Sequence, residues 1–128
     1  MIQYLEQLNQ ENKEGYGEDG GLIIEPNILV DRAVWWERFT MEHPDFIFKL
    51  LPRQLQQSYT STLITGQDNT PLFYDEGGPL EEYYKTAYDY LLSKHADSET
   101  AKMLRPYYAA LVKSDTAAIK SLRRKLQY

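Results

Sequence analysis

The sequence predicts an all-α fold: a small single-domain bundle of five or six helices, with short antiparallel C-terminal helices and room for one lone extended segment near residues 22–25. Three observations carry this. Apolar side chains recur at helical spacing through most of the chain. Prolines and capping residues stand where those periodic stretches begin. The connections between them are short, apart from glycine-rich loops near residues 12–21 and 67–78. At 128 residues the chain is expected to be one domain, 1–128, long enough to bury a core.

Composition narrows the classes. With 42% hydrophobic and 26% charged residues, wholesale disorder is excluded. Eleven tyrosines and two tryptophans suit both cores and interfaces, and most are expected to sit half-buried in the core. The absence of cysteine rules out a disulfide framework, a thiolate metal site and a cysteine nucleophile. Met1 to Glu6 lacks a basic segment leading into an apolar run, so no signal peptide is expected. No apolar run approaches the ~18 residues of a membrane span. The expected location is the cytoplasm, or a particle assembled inside a cell.

Ile2, Leu5 and Leu8, with Tyr4 beside them, predict an amphipathic helix over about 2–10. A polar loop follows, in which Gly15, Gly17 and Gly20 have dinucleotide-loop spacing. No apolar strand precedes them, and Glu18 and Asp19 would repel phosphate, so the stretch reads as a loop only. Leu22-Ile23-Ile24 reads as extended.

Pro26 is placed to open a helix whose core face carries Ile28, Leu29, Arg32, Trp35, Trp36, Phe39 and His43. Asp31, Glu37, Arg38 and Glu42 fall outside that face. Arg32 is the charge in the stripe, expected to lay its stem beside the tryptophans or to pair with a carboxylate. His43-Pro44-Asp45 spells the J-domain co-chaperone tripeptide, but Glu37, Glu42 and Phe46 stand where that family has basic residues. Pro44 therefore reads as helix punctuation.

Phe46, Ile47, Leu50 and Leu51 predict a helical turn or two ended by Pro52. The next helix is expected over 52–65, with Leu55, Tyr59 and Leu63 inward and Gly66 as its cap. Its β-branched Thr60, Thr62, Ile64 and Thr65 would suit a strand equally well. In the loop at 67–78, Asp68, Asp75 and Glu76 lack calcium-loop spacing. Leu72-Phe73-Tyr74 is an apolar plug that either packs down or faces a partner.

Pro79 is expected to open a helix with Leu80, Tyr84, Ala87, Leu91 and His95 inward, flanked by Tyr83 and Tyr88. Asp97 or Ser98 caps the next, whose buried row is Ala101, Leu104, Tyr108 and Leu111, with a kink or restart at Pro106. Ser114 and Asp115 cap the last helix, with Ala118, Ile119, Leu122 and Leu126 inward and Lys120, Arg123 and Arg124 outward. The expected core is Trp35, Trp36, Phe39, Leu50, Leu80, Tyr84, Leu91, Leu104 and Leu122.

Charge is the strongest functional clue. Residues 101–128 hold seven bases against one acid, Asp115, a formal +6. Residues 1–100 hold seven bases and eighteen acids, a formal −11. A basic end on an acidic body suits head-to-tail association. His43 and His95 have no ligand partner at helical spacing, and no nucleophile motif is present. The expectation is a non-enzymatic protein–protein assembly subunit without cofactor or metal. It would be a structural or adaptor component of a larger complex, as small helical domains are in virus particles and other assemblies.

Its partner would be a protein, itself or another, and not a membrane. The expected contact residues are Lys113, Lys120, Arg123 and Arg124, with Phe73 and Tyr74. One alternative is an acidic inhibitor that masks a basic enzyme surface through Glu11, Glu14, Glu18, Asp19, Asp75 and Glu76. Another is a nucleic-acid accessory protein using the same basic helix.

Overall fold

The computed structural model describes residues 2–18, 21–48, 50–75 and 78–127. The fold is all-α as expected. In chain order the elements are α1 (Ile2–Glu14), β1 (Gly17–Glu18), β2 (Gly21–Leu22), α2 (Pro26–Glu42), α3 (Leu50–Thr65), α4 (Glu82–Lys94), α5 (Glu99–Val112) and α6 (Thr116–Gln127). The extended segment is not alone. Gly17 pairs with Leu22 and Glu18 with Gly21 in a small antiparallel hairpin, beyond which Ile24 drops into the core.

Helix α2 is the centre, packed on α3, α4 and α5. A helix covered from several sides buries more than one stripe. Val30, Ala33 and Val34 are therefore buried along with Leu29, Trp36 and Phe39, and so are Arg32 and Glu37. Glu37 lies inside, contrary to the expected stripe, and Trp35 is only half-buried.

Among the described residues before α3, Ile47 and Phe48 lie in a turn rather than in the expected helical turn ended by Pro52. Helix α3 begins at Leu50, which puts Pro52 in the first turn, where its missing N–H leaves no bond unmade. Leu50 is 67% exposed and Leu51 39%, so the expectation of Leu50 in the core is overturned. The threonines are helical, and Thr62 and Thr65 satisfy their hydroxyls on the carbonyls of Ser58 (3.2 Å) and Ser61 (3.0 Å) one turn back. Gly66, at φ 71°, ends the helix; a Cβ there would meet Leu72 N at 3.0 Å.

Helix α4 starts at Glu82 rather than Pro79. The preceding residues are held extended because Glu81 N donates to Leu72 O (2.8 Å), closing the loop while Leu80 enters the core. Helix α5 is capped by Ser98, whose Oγ accepts from Ala101 N at 3.0 Å. It runs through Pro106 without the expected restart; Pro106 faces water, which can solvate the carbonyl left unpaired. Tyr107, rather than Tyr108, is the buried member of that pair.

The tyrosines act as cross-ties. The last carbonyls of an α-helix lack intrahelical partners. Those of α3 are served by neighbouring helices: Tyr88 donates to Leu63 O (2.7 Å) and Tyr107 to Ile64 O (2.6 Å). Tyr83 donates to Ile24 O (2.8 Å) and Tyr84 to Thr70 O (2.6 Å), tying α4 to the segments around the hairpin. Among the described residues, no helix is long and apolar enough to cross a membrane.

Candidate association surface

Two carboxylates, Glu11 and Glu37, are buried, and each is held by structural partners. Glu11 of α1 accepts from Tyr59 O–H (2.5 Å) on one oxygen, and from Trp36 Nε1–H (2.6 Å) and the Gln7 amide (2.8 Å) on the other. Arg32 bridges to Glu14 at 3.2 Å and reaches the Glu11 carbonyl at 3.4 Å, while its Nε has no partner among the described residues. The Gln10 amide and then the Arg32 guanidinium hold the Glu14 carboxyl below its ordinary value. This network fastens α1 to α2 and α3.

Glu37 accepts from the backbone N–H groups of Glu99 (3.0 Å) and Thr100 (2.7 Å), and from the Thr100 hydroxyl. It thus caps α5 from a neighbouring helix, at the positive end of the dipole. Each of these buried carboxylates thus accepts three structural hydrogen bonds, which accounts for its burial.

The remaining candidates for chemistry are equally occupied or apart. His95 Nε2 lies 2.8 Å from Asp31 Oδ1, and Tyr90 O–H donates to the same oxygen at 2.7 Å. His43 caps the end of α2, against Phe39. A groove of about 560 Å³ between α3, α5 and the end of α6 offers amides and hydroxyls but, among the described residues, no titratable side chain. Among the described residues, no cluster of three or more His, Asp or Glu side chains could hold a metal.

The basic end behaves differently. Helix α6 lies on α5, with Ile119 buried and Ala118, Leu122 and Leu126 partly covered. Lys120 and Arg124 stand one turn apart on the exposed face, beside Lys125. Lys113 is exposed at the end of α5. Among the described residues, Lys85, Lys102, Arg32 and His95 are in ion pairs; Lys113, Lys120, Arg124 and Lys125 are in none, as is also true of Lys13, Arg38, Arg53, Lys94 and Arg105.

Arg123 corrects the expected face. It turns inward, donating from Nε to Tyr107 Oη (3.1 Å) and from its terminal nitrogen to Ile64 O (3.5 Å). Its place in the sequence, beside Arg124, gave no sign of this; the signal is the shared acceptor, a last-turn carbonyl of α3.

The apolar plug divides: Leu72 is buried, Phe73 is half-buried against the core and Tyr74 is 73% exposed. Ser114 Oγ donates to Gly78 O at 3.1 Å, so the turn carrying Lys113 adjoins the loop that carries Tyr74. Of the acids named for a masking role, Glu11 is buried and Glu14 is paired with Arg32. Glu18 and Asp75 are exposed, and Asp19 and Glu76 lie outside the described residues.

Compared with known proteins, the chain matches no protein-family model, no curated protein and no solved structure.

Proposed function

We propose that the chain is a non-enzymatic association subunit whose basic last helix docks on an acidic protein surface, namely the body of another copy within a larger assembly. The observation that carries this is the set of exposed cations without a carboxylate partner: Lys113, Lys120, Arg124 and Lys125. What sets these cations apart is that they cluster in residues 101–128, where bases outnumber acids seven to one. A single exposed pair stabilises a complex by only about 0–1 kcal/mol. A cluster against a surface of opposite sign steers encounter and sets orientation over a Debye length of roughly 8–10 Å.

The acidic first hundred residues supply that opposite sign and repel a phosphate backbone, which favours protein over nucleic acid. Tyr74 adds an exposed aromatic side chain, of the type enriched at contact surfaces, on the loop that Ser114 touches at Gly78.

Sedimentation velocity at low and high salt tests the reading, using wild type and Lys120→Glu/Arg124→Glu. Both side chains are exposed, so the variant is expected to fold normally. Wild type should form larger species at low salt that dissociate at high salt, and the variant should not. Sedimentation that ignores salt, or a variant identical to wild type, would overturn the proposal. Salt-steep binding to duplex DNA without self-association would reassign the face to nucleic acid.

A further inference from the structure

We infer that the groove between α1 and α2 is a binding site for an organic ammonium ion, which seats against the Trp35 indole and is neutralised by the carboxylates of Glu6 and Glu42. The groove holds about 480 Å³, within the roughly 300–1,000 Å³ of small-molecule sites. No residue of α6 lines it, so the inference is independent of the basic-helix reading.

The two walls repeat one spacing. Gln3, Glu6, Gln7 and Gln10 of α1 fall at i, i+3, i+4 and i+7. Trp35, Arg38, Phe39 and Glu42 of α2 fall at the same intervals. That spacing makes each set one face of its helix. Where two helix faces meet, apolar side chains ordinarily fill the seam. Here α1 contributes amides and a carboxylate instead, and the seam stays open beside the aromatic pair of α2.

That pair is rigid. The Trp35 and Phe39 rings stack with centroids 5.3 Å apart and 13° between their planes. Trp36 meets Trp35 edge-on, at 4.7 Å and 74°. The indole is thus held in one orientation, yet Trp35 remains half-buried rather than covered. Tryptophan is the best aromatic surface for a cation. A side chain already fixed loses little freedom when a ligand arrives.

The polar groups select the ligand's charge. The Gln7 amide donates to Glu11 at 2.8 Å and the Gln10 amide to Glu14 at 3.1 Å. A carboxylate only accepts, so these bonds fix which end of each amide is nitrogen and leave its oxygen as an acceptor. Glu6 and Glu42 add exposed carboxylates, neither in an ion pair among the described residues. Arg38 is the one cation on the walls, which leaves the lining a formal −1. An anion is repelled by this arrangement, and a neutral polyol needs donors as well as acceptors. An ammonium group only donates, its charge meets the carboxylates and its alkyl stem lies along the rings. The net charge of −5 favours the approach of cations from solution.

Titration of the full chain with butylammonium chloride, followed by the indole N–H resonances of both tryptophans, tests this. The Trp35 resonance should shift and saturate, while sodium chloride at equal ionic strength and neutral butanol should produce no saturating shift. Glu6→Gln/Glu42→Gln, at two exposed positions, should keep the helical circular dichroism and weaken binding at least about tenfold. Lys120→Glu/Arg124→Glu should leave binding unchanged, so this inference and the basic-helix reading fail separately. A Gly-Lys-Gly peptide blocked at both ends presents the same ammonium on a protein side chain. Saturation by butylammonium alone assigns a free amine, and saturation by the peptide assigns a lysine of a partner. No saturating Trp35 shift with either probe, or binding indifferent to Glu6→Gln/Glu42→Gln, would overturn the inference.

Discussion

The Trp36 indole N–H donates to the Glu11 carboxylate across 2.6 Å, joining the first helix to the largest fully buried side chain of the central one. The same carboxylate takes Tyr59 O–H at 2.5 Å, so it ties three helices at one point. In Glu11→Gln the new amide N–H₂ would face a donor and leave one buried group unpaired. The expected loss is about 2–4 kcal/mol, read by urea denaturation with tryptophan fluorescence. A loss below about 0.5 kcal/mol, the range of featureless surface changes, would contradict the cross-tie.

Glu37 is expected to matter for α5 rather than for its own helix. Glu37→Ala leaves the N–H groups of Glu99 and Thr100 and the Thr100 hydroxyl without their acceptor. The predicted cost is about 2–3 kcal/mol. Glu42→Ala, exposed on the last turn of α2, should fall within about 0.5 kcal/mol of wild type. Paired thermal melts of the two variants make the comparison.

The phenols predict an alkaline limit. Burial, and after it the hydrogen bond to Asp31, pushes Tyr90 up to about 12. Burial and then Asp89 push Tyr108 up to about 12. Burial also raises Tyr59, Tyr83, Tyr84, Tyr88 and Tyr107. A raised phenol favours the neutral form in the fold. Its contribution is complete below the ordinary value of 10 and is lost as pH rises through the raised one. Phenolate absorbance followed beside far-ultraviolet circular dichroism should show most tyrosines ionising late and together with helix loss. Early titration of all of them with the helices intact would contradict this.

Pro106 gives a stabilising prediction. It stands on the exposed side of an unbroken helix, where proline is about 3 kcal/mol less favourable than alanine. Part of that difference is offset because proline also restricts the unfolded chain, by about 0.4–1 kcal/mol. Pro106→Ala should therefore raise stability by about 2–2.5 kcal/mol in chemical denaturation, and a loss of stability would reveal a packing role for the ring.

Local signals were legible where they act locally. Pro26 does open α2, Ser98 does cap α5, and Gly66 does end α3 through its positive φ. The less legible features depend on what packs against what. Glu37 looked outward because its own helix has one apolar stripe, yet α5 brings two N–H groups to it. Leu50 looked like core because it is apolar, but the first turn of α3 extends past the elements that could cover it. In the basic helix, period alone could not separate Arg123 from Arg124. The difference is Tyr107 and the Ile64 carbonyl, which lie 16 and 59 residues away in the chain.

The most direct test of association through the basic helix is zero-length carbodiimide cross-linking of a mixture of isotope-labelled and unlabelled chains at low salt, read by mass spectrometry. Cross-links between labelled and unlabelled chains should join Lys120 or Lys125 to carboxylates within residues 1–100, and should disappear at high salt. If Lys120 and Lys125 cross-link only within their own chain, head-to-tail docking of the basic helix on the acidic body is contradicted.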